Sequence, residues 1–551
     1  MTIRSLIYSA LLILSPQVLA NPTAITNVKG YHIIPDGGLQ QFDTLVFEQG
    51  KVLANGNAEL LKRYPNATVV DGQGQTLLPG LTDAHGHLLG LGENLMQVDL
   101  RGLPSEKAAV AKVKSYQASN PSLNWIVGRG WNQVLWPGKA FPTASQLDEF
   151  IPDKPVWLER VDGHAAWVNS KALQLAGIGK DTLDPPGGQI IRDDKGNPTG
   201  VLIDNAMWLV AEHLPKSDAA MMQASLKAAI EHLLSLGITS MHDAGVDQKT
   251  YDFYQQQAKD GQLQVRIYGM LSAADPKLKE MLEAGPFQDT EDMLWVRSVK
   301  AFADGALGSR GAAMLEAYSD DTHNHGLLLT SEEDLPALFE LVLGKGFQLN
   351  VHAIGDRGNR LVLDNFAQAY DKVGGQSFRN RIEHAQVVSL EDIPRFKDLN
   401  IIASMQPVHA TSDMNMAEDR IGKERLKGAY AWQTFLKQGT VLAAGSDFPV
   451  ELANAFHGLH AAVTRQDHEG KPPGGWIPAE RLSVEQALRA FTLDAAYAAH
   501  QEKVLGNLES GKWADFILID RNIFEVPNTE IWQTQVLQTW IAGQQQFQRA
   551  E

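Results

Sequence analysis

PGLTDAHGHL, residues 79–88, carries two histidines, His85 and His87, one residue apart behind an aspartate and an apolar run. If a strand continues through them, residues i and i+2 point to one face, and both imidazoles can reach one ion. The pair alone leaves a packing or surface role open. The pattern along the rest of the chain decides the reading. Counting this stretch, there are eight strand-like runs: LLPGLTDAH, GITSMHDAG, QVRIYGM, WVRSVKAFADG, FQLNVHAIGD, RIEHAQ, NIIASMQP and TVLAAGSDFP. Amphipathic segments such as MMQASLKAAIEHLLSLG and SEEDLPALFELVLGKG lie between them. Strands alternating with helices pair in parallel, and eight such units close a (β/α)8 barrel. An open doubly wound sheet competes, but no Gly-rich phosphate loop follows the first strand.

Both ends of the chain have a different texture. AITNVKGYHII, DTLVFEQGKVLANG and ATVVDGQGQTLLPG near the start, and GKWADFILIDRN and VLQTWIAGQQQFQ near the end, are short strand-like runs broken by turns. They predict one small sheet domain built from residues 21–79 and 506–551, with the barrel over residues 80–505. The first and second barrel strands, near His85 and Thr239, are far more than the roughly 30 residues of a regular β/α unit apart. An insertion at about residues 100–215 therefore rises from the C-terminal face of the barrel, where barrel enzymes place their active sites. Its Trp131, Trp136, Trp157 and Trp167 fit either an apolar lid or a core of its own.

The chain has 551 residues, 44% of them apolar, enough for a large core. A net charge of −17 argues against a nucleic-acid partner, which would need phosphates neutralised. There is no cysteine, which excludes disulfides and thiolate chemistry and leaves His, Asp, Glu or a modified Lys to hold a metal. The N-terminus, MTIRSLIYSALLILSPQVLANP, has Arg4, an apolar stretch from Leu6 to Leu14 and a small Ala20. It reads as a secretory signal peptide over residues 1–20, too short to span a bilayer. The expected mature protein is periplasmic or secreted, without stable membrane insertion, and a homodimer is its default assembly.

Further polar residues fall at the ends of the later strand-like runs. Lys300 lies in RSVKAFADG, His352 in QLNVHAIGD, His384 in RIEHAQ and Asp447 in LAAGSDFPVE. Each precedes a loop on the catalytic side of a barrel. Singly, a strand-end histidine is often structural and an Asp after Gly-Ser is often a helix cap. Together with His85 and His87 they form a ring of metal-ligand types. Lys300 alternatively pairs with Asp304 or Asp447. Arg310 in GALGSRGA, His164 in ERVDGHAAW and His409 in MQPVHATSD are candidate substrate contacts, each with a structural alternative. His242 in SMHDAG is read as structural.

This set resembles the metal-binding pattern of the amidohydrolase superfamily. KAFADGALGSRGAAM, VHAIGDRGN, IEHAQ, GSDFPVE, PGLTDAHGHL and GKWADFILID narrow the resemblance to the amidohydrolase family 3 branch, which includes N-substituted formamide deformylases. The resemblance covers nearly the whole chain after the signal peptide. It implies a distorted TIM-type barrel beside a composite β-sandwich from both termini, and one or two divalent metal ions, usually zinc. His85, His87 and Asp447 would hold the more buried ion, His352 and His384 the second, and an N-carboxylated Lys300 would bridge them. A buried lysine has a lowered pKa, and its neutral amine reacts with carbon dioxide. The implied activity is metal-assisted hydrolysis of an amide-like C–N bond in a small molecule, with Asp447 as the proton carrier. A lactonase, esterase or deaminase would use the same metals. A non-catalytic binding protein would lack a ligand, and none is missing.

Overall fold

A computed structural model describes residues 21–215 and 218–550. The expected signal peptide at residues 1–20 lies outside the described residues. All eight expected runs form strands: Leu81–Gly86, Ile238–Val246, Arg266–Ser272, Leu294–Phe302, Gln348–Ala353, Arg381–His384, Ile402–Met405 and Leu442–Ala444. Each pairs in parallel with the next. Most of their residues are buried on both faces, which explains why they read as near-continuous apolar runs rather than alternating ones.

The barrel is distorted at its seam. The eighth strand has three residues and forms no ladder with the first. Closure falls to the loop that follows it. Gly86 bridges Phe448 in parallel, Asp447 N–H donates to His85 O at 2.7 Å, and His87 N–H donates to Phe448 O at 2.8 Å. The buried Asp83 ties the same seam, accepting from Ser446 Oγ at 2.6 Å and from the N–H groups of Ser446 and His85. Gly445 is required here, because a Cβ would lie 2.6 Å from both Asp83 Oδ1 and His85 N.

The helix Ala219–Ser235 shows how the outer layer forms. Asp218 caps it by accepting from Met221 N–H, and Met222, Leu226, Ala229, Ile230 and Leu233 line one buried stripe. Losing that cap costs about 1 kcal/mol.

The two chain ends meet as expected. A four-stranded sheet runs Lys51–Gly56, Thr44–Glu48, Thr23–Thr26, Thr68–Asp71. A six-stranded sheet runs Gln544–Gln548, Val536–Ile541, Phe516–Ile519, Thr76–Pro79, Lys29–Ile33, Leu39–Phe42. Ile25, Leu45 and Phe47 of the first pack with Leu77, Phe516 and Leu518 of the second as a sandwich core. The chain passes from sandwich to barrel at Gly80, whose N–H donates to Asp515 O at 2.9 Å. Beside this crossing, Arg266 of the third barrel strand and Asp515 form a buried ion pair at 2.6 and 3.1 Å.

The insertion has a six-stranded sheet of its own, in the order Gly188–Arg192, Pro198–Asp204, Ala165–Val168, Val156–Arg160, Ile126–Trp131, Val98–Asp99. The lid reading of its tryptophans does not hold for three of the four. Trp131, Trp136 and Trp167 are the insertion's own core, each with its indole N–H on a backbone carbonyl. Trp157 lines a cavity wall.

Candidate active site

The buried rim of the barrel brings His85, His384 and Asp447 together. Among the described residues, one ligand atom from each lies within 4.8 Å of the other two. His85 Nε2 is 3.6 Å and His87 Nε2 3.2 Å from Asp447 Oδ1. The strand ends at Gly86, so His87 caps the following helix, Leu88–Leu95, rather than continuing the strand. The two imidazoles still converge, 5.7 Å apart. His352 packs edge-on against His384 at 4.5 Å, and its Nε2 lies 3.3 Å from Gly305 O and 3.6 Å from Asp304 Oδ1. Lys300 Nζ is 3.0 Å from His85 Nε2. Asp304, one alternative partner for that lysine, is instead a loop anchor that accepts from the N–H groups of Ala313, Ile354 and Gly355.

Asp447 has φ +62°, a left-handed conformation that seats its carboxylate among the imidazoles. Such strain is retained where the surroundings over-determine it. Burial raises the cost of its charge, but His85, the His87 contact and His384 hold its carboxyl well below the usual range. Its Oδ1 is buried without a hydrogen-bond partner. An orphaned carboxylate oxygen ringed by imidazoles fits a divalent cation.

The outer contacts fix which ring nitrogens face inward. His85 Nδ1 lies 2.6 Å from Glu383 Oε2, so it carries a proton and leaves Nε2 as the ligand atom. His384 Nδ1 donates to Gln406 Oε1 at 2.7 Å. Burial keeps His85, His352 and His384 neutral, the form that ligates metal. Burial also pushes the Lys300 ammonium down to about 8, against the pull of Glu383 and Asp447.

Glu383 was not legible as a site residue. It neighbours His384, and strand alternation would send the two to opposite faces. His384 has φ +75°, which breaks the alternation and turns both inward. Gln406 in the seventh run is a second such residue.

Two cavities open on this rim. One of about 740 Å³ sees His384 and His409. One of about 400 Å³ sees His87 and Lys300. Asp162, His164, His352, Asp447 and Val450 border both. His164 thus reaches the rim from the insertion, with Nδ1 2.6 Å from Asp204 Oδ1 and its ring 5.3 Å from His352. Although burial opposes it, Asp204 raises the His164 pKa to about 9. His409 lines the larger cavity, its Nε2 3.9 Å from Asp447 Oδ2. Arg310 does not line either cavity. It turns away onto Asp320, at 3.0 and 3.2 Å. The arginines that line the larger cavity are Arg101 and Arg160 of the insertion, the latter paired with Asp162. His242 accepts from Arg381 Nη1 at 3.0 Å and braces the barrel interior.

The sequence profile of the amidohydrolase family matches residues 68–547. The chain belongs to the amidohydrolase family. It is 34% identical to the protein LONG AFTER FAR-RED 3 of Arabidopsis thaliana, over 99% of this chain and 95% of that one. It is 27% identical to an N-substituted formamide deformylase of Arthrobacter pascens, over 88% and 91%. Among solved structures, an uncharacterized metal-dependent hydrolase from Pyrococcus furiosus superposes with a TM-score of 0.71 at 30% identity, covering 91% of this chain and 99% of that chain.

Proposed function

We propose that this amidohydrolase is an exported enzyme that cleaves an amide-like C–N bond of a small molecule, with one or two zinc ions as cofactor. The observation that carries the reading is the convergence of the His85, His384 and Asp447 ligand atoms on the buried rim. His87, His352 and Lys300 border the same point and complete the donor set. The relative named as an N-substituted formamide deformylase supports a C–N bond as the target. Arg4, the apolar run that follows and Ala20 support export.

Bound there, divalent zinc lowers the pKa of a water toward ~7 and polarises the scissile carbonyl. The protein's own residues do the rest. Glu383 and Gln406 hold the His85 and His384 rings in the ligating tautomer. Asp447 stays ionised, takes the proton of the attacking water and delivers it to the leaving nitrogen. Lys300, whose ammonium burial disfavours, would as the neutral amine add carbon dioxide at Nζ, release a proton to solvent and supply an anionic carbamate oxygen beside His85. His164 and His409 contact the substrate from the insertion and from the helix Pro407–Asp413 that follows the seventh strand.

The test is a panel of formamides, N-acyl amino acids, cyclic amides and lactones, assayed with and without chelator. Amide hydrolysis that chelator abolishes, and that Asp447→Asn abolishes without changing the circular dichroism, is the expected result. Turnover indifferent to chelator, or confined to lactones, contradicts the reading.

A further inference from the structure

The two cavities meet the reacting centre from different sides. The larger reaches the rim past His384 and His409, the smaller past His87 and Lys300, and His164 with Val450 stands between them. A carbonyl attacked at this point has two substituents that diverge at its trigonal carbon. A formamide fills only one direction, because its acyl substituent is hydrogen. Resting on the reading of the site as an amide hydrolase, we infer that the substrate has an arm on each side of the scissile bond, one per cavity.

Size assigns the arms. The larger cavity, with apolar walls at Val134, Leu307 and Met416 beside the charged Arg101, Arg160 and Glu451, has room for a bulky hydrocarbon or aromatic group. The smaller is bordered by Glu93, Asn94, Gln97 and Arg129, with Trp157 and Phe302 as its apolar walls. It suits a short arm with a polar end. The compound class is an N-substituted amide whose acyl group is larger than formyl and whose shorter arm ends in a hydrogen-bonding function.

Gly90 gives access to a test. It lies in the helix Leu88–Leu95, lines the smaller cavity, and has an ordinary negative φ. A Cβ there would meet only His87 Cβ at 3.4 Å and Pro449 Cδ at 3.8 Å, so a side chain grows into the cavity without displacing backbone.

The probes are N-benzylformamide, N-benzylacetamide and N-benzyl-3-hydroxypropanamide, which share one leaving amine. On zinc-loaded wild-type enzyme, kcat/KM rises along that series. Gly90→Leu shifts the ratio of hydroxypropanamide to formamide toward formamide by about tenfold or more, and Gly90→Ala by less. The ratio is internal to each variant, so a loss of folded protein does not mimic it. Formamide as the best substrate, or a ratio unmoved by both variants, overturns the inference. If none of the three amides is hydrolysed, the wider panel decides the amidase reading, and calorimetric binding still decides this one. Tighter binding of the hydroxypropanamide than of the formamide, lost in Gly90→Leu, supports two arms. Equal binding overturns them.

Discussion

His85 Nδ1 and Glu383 Oε2 sit 2.6 Å apart in the fully buried floor of the rim, although 298 residues separate them in the chain. Burial would raise the Glu383 carboxyl, but His85 and Arg381 hold it below its usual range, so it stays an anion facing an N–H. A carboxylate in this position orients the ligating imidazole and increases its basicity. Glu383→Gln keeps the size and loses the charge. Its expected effect is a loss of about 10- to 100-fold in zinc affinity, measured by competition with a chromogenic chelator. Unchanged affinity would show that Glu383 only packs.

The sequence left Arg310 as a substrate contact or a loop brace; the structure pairs it with Asp320, while Arg101 and Arg160 line the larger cavity. Arg310→Ala removes a half-exposed pair with Asp320 and is expected to leave kcat/KM within about twofold, consistent with the ~0–1 kcal/mol of such pairs. Arg160→Ala is expected to raise KM for the amide substrate clearly more. Steady-state kinetics on both variants checks the contrast.

The Arg266–Asp515 pair joins barrel to sandwich in a fully buried position, and Asp515 also accepts from Ala542 N–H at 2.8 Å. Asp515→Ala leaves the guanidinium charge buried without its partner. The expected cost is about 3–5 kcal/mol, seen as a lower thermal inactivation midpoint at constant heating rate. Arg266→Met with Asp515→Leu recovers part of that loss, because it removes both charges together.

His500 carries an acid sensitivity remote from the rim. Burial, with Arg297 and Arg379 adding to it, lowers its pKa from 6.5 to about 4. The unfolded chain then binds a proton that the folded chain refuses. Its stabilising contribution is complete above pH 6.5 and is lost as pH falls through that value toward 4. Asn accepts the left-handed φ of +62° at this position. His500→Asn is therefore expected to flatten the fall in thermal midpoint between pH 6.5 and 4. A slope as steep as the wild type's would remove His500 from the account.

All eight barrel strands were legible because burial on both faces writes itself as apolar runs ended by polar loop residues. The ligand-type residues were legible for the same reason, since each ends one run. Their supports were not. Glu383 acts across the barrel and Asp83 and Gln406 on neighbouring strand ends, on partners that no local period predicts, and His384 reverses strand alternation with a positive φ. For Arg310 the loop-bracing alternative is the one seen, in its pair with Asp320. The insertion's tryptophans read more readily as core than as lid, and the packing of Trp131, Trp136 and Trp167 against Leu158, Val201 and Ile203 bears that out for these three.

The central claim is that His85, His384 and Asp447 hold a catalytic divalent ion. The most direct measurement is metal content by plasma mass spectrometry on purified wild type and Asp447→Asn, paired with turnover before chelation, after it and after zinc is restored. The account predicts one to two zinc-like ions per wild-type chain, a lower content in the variant, and activity that disappears and returns with the metal. Fully active wild-type protein without bound metal contradicts it.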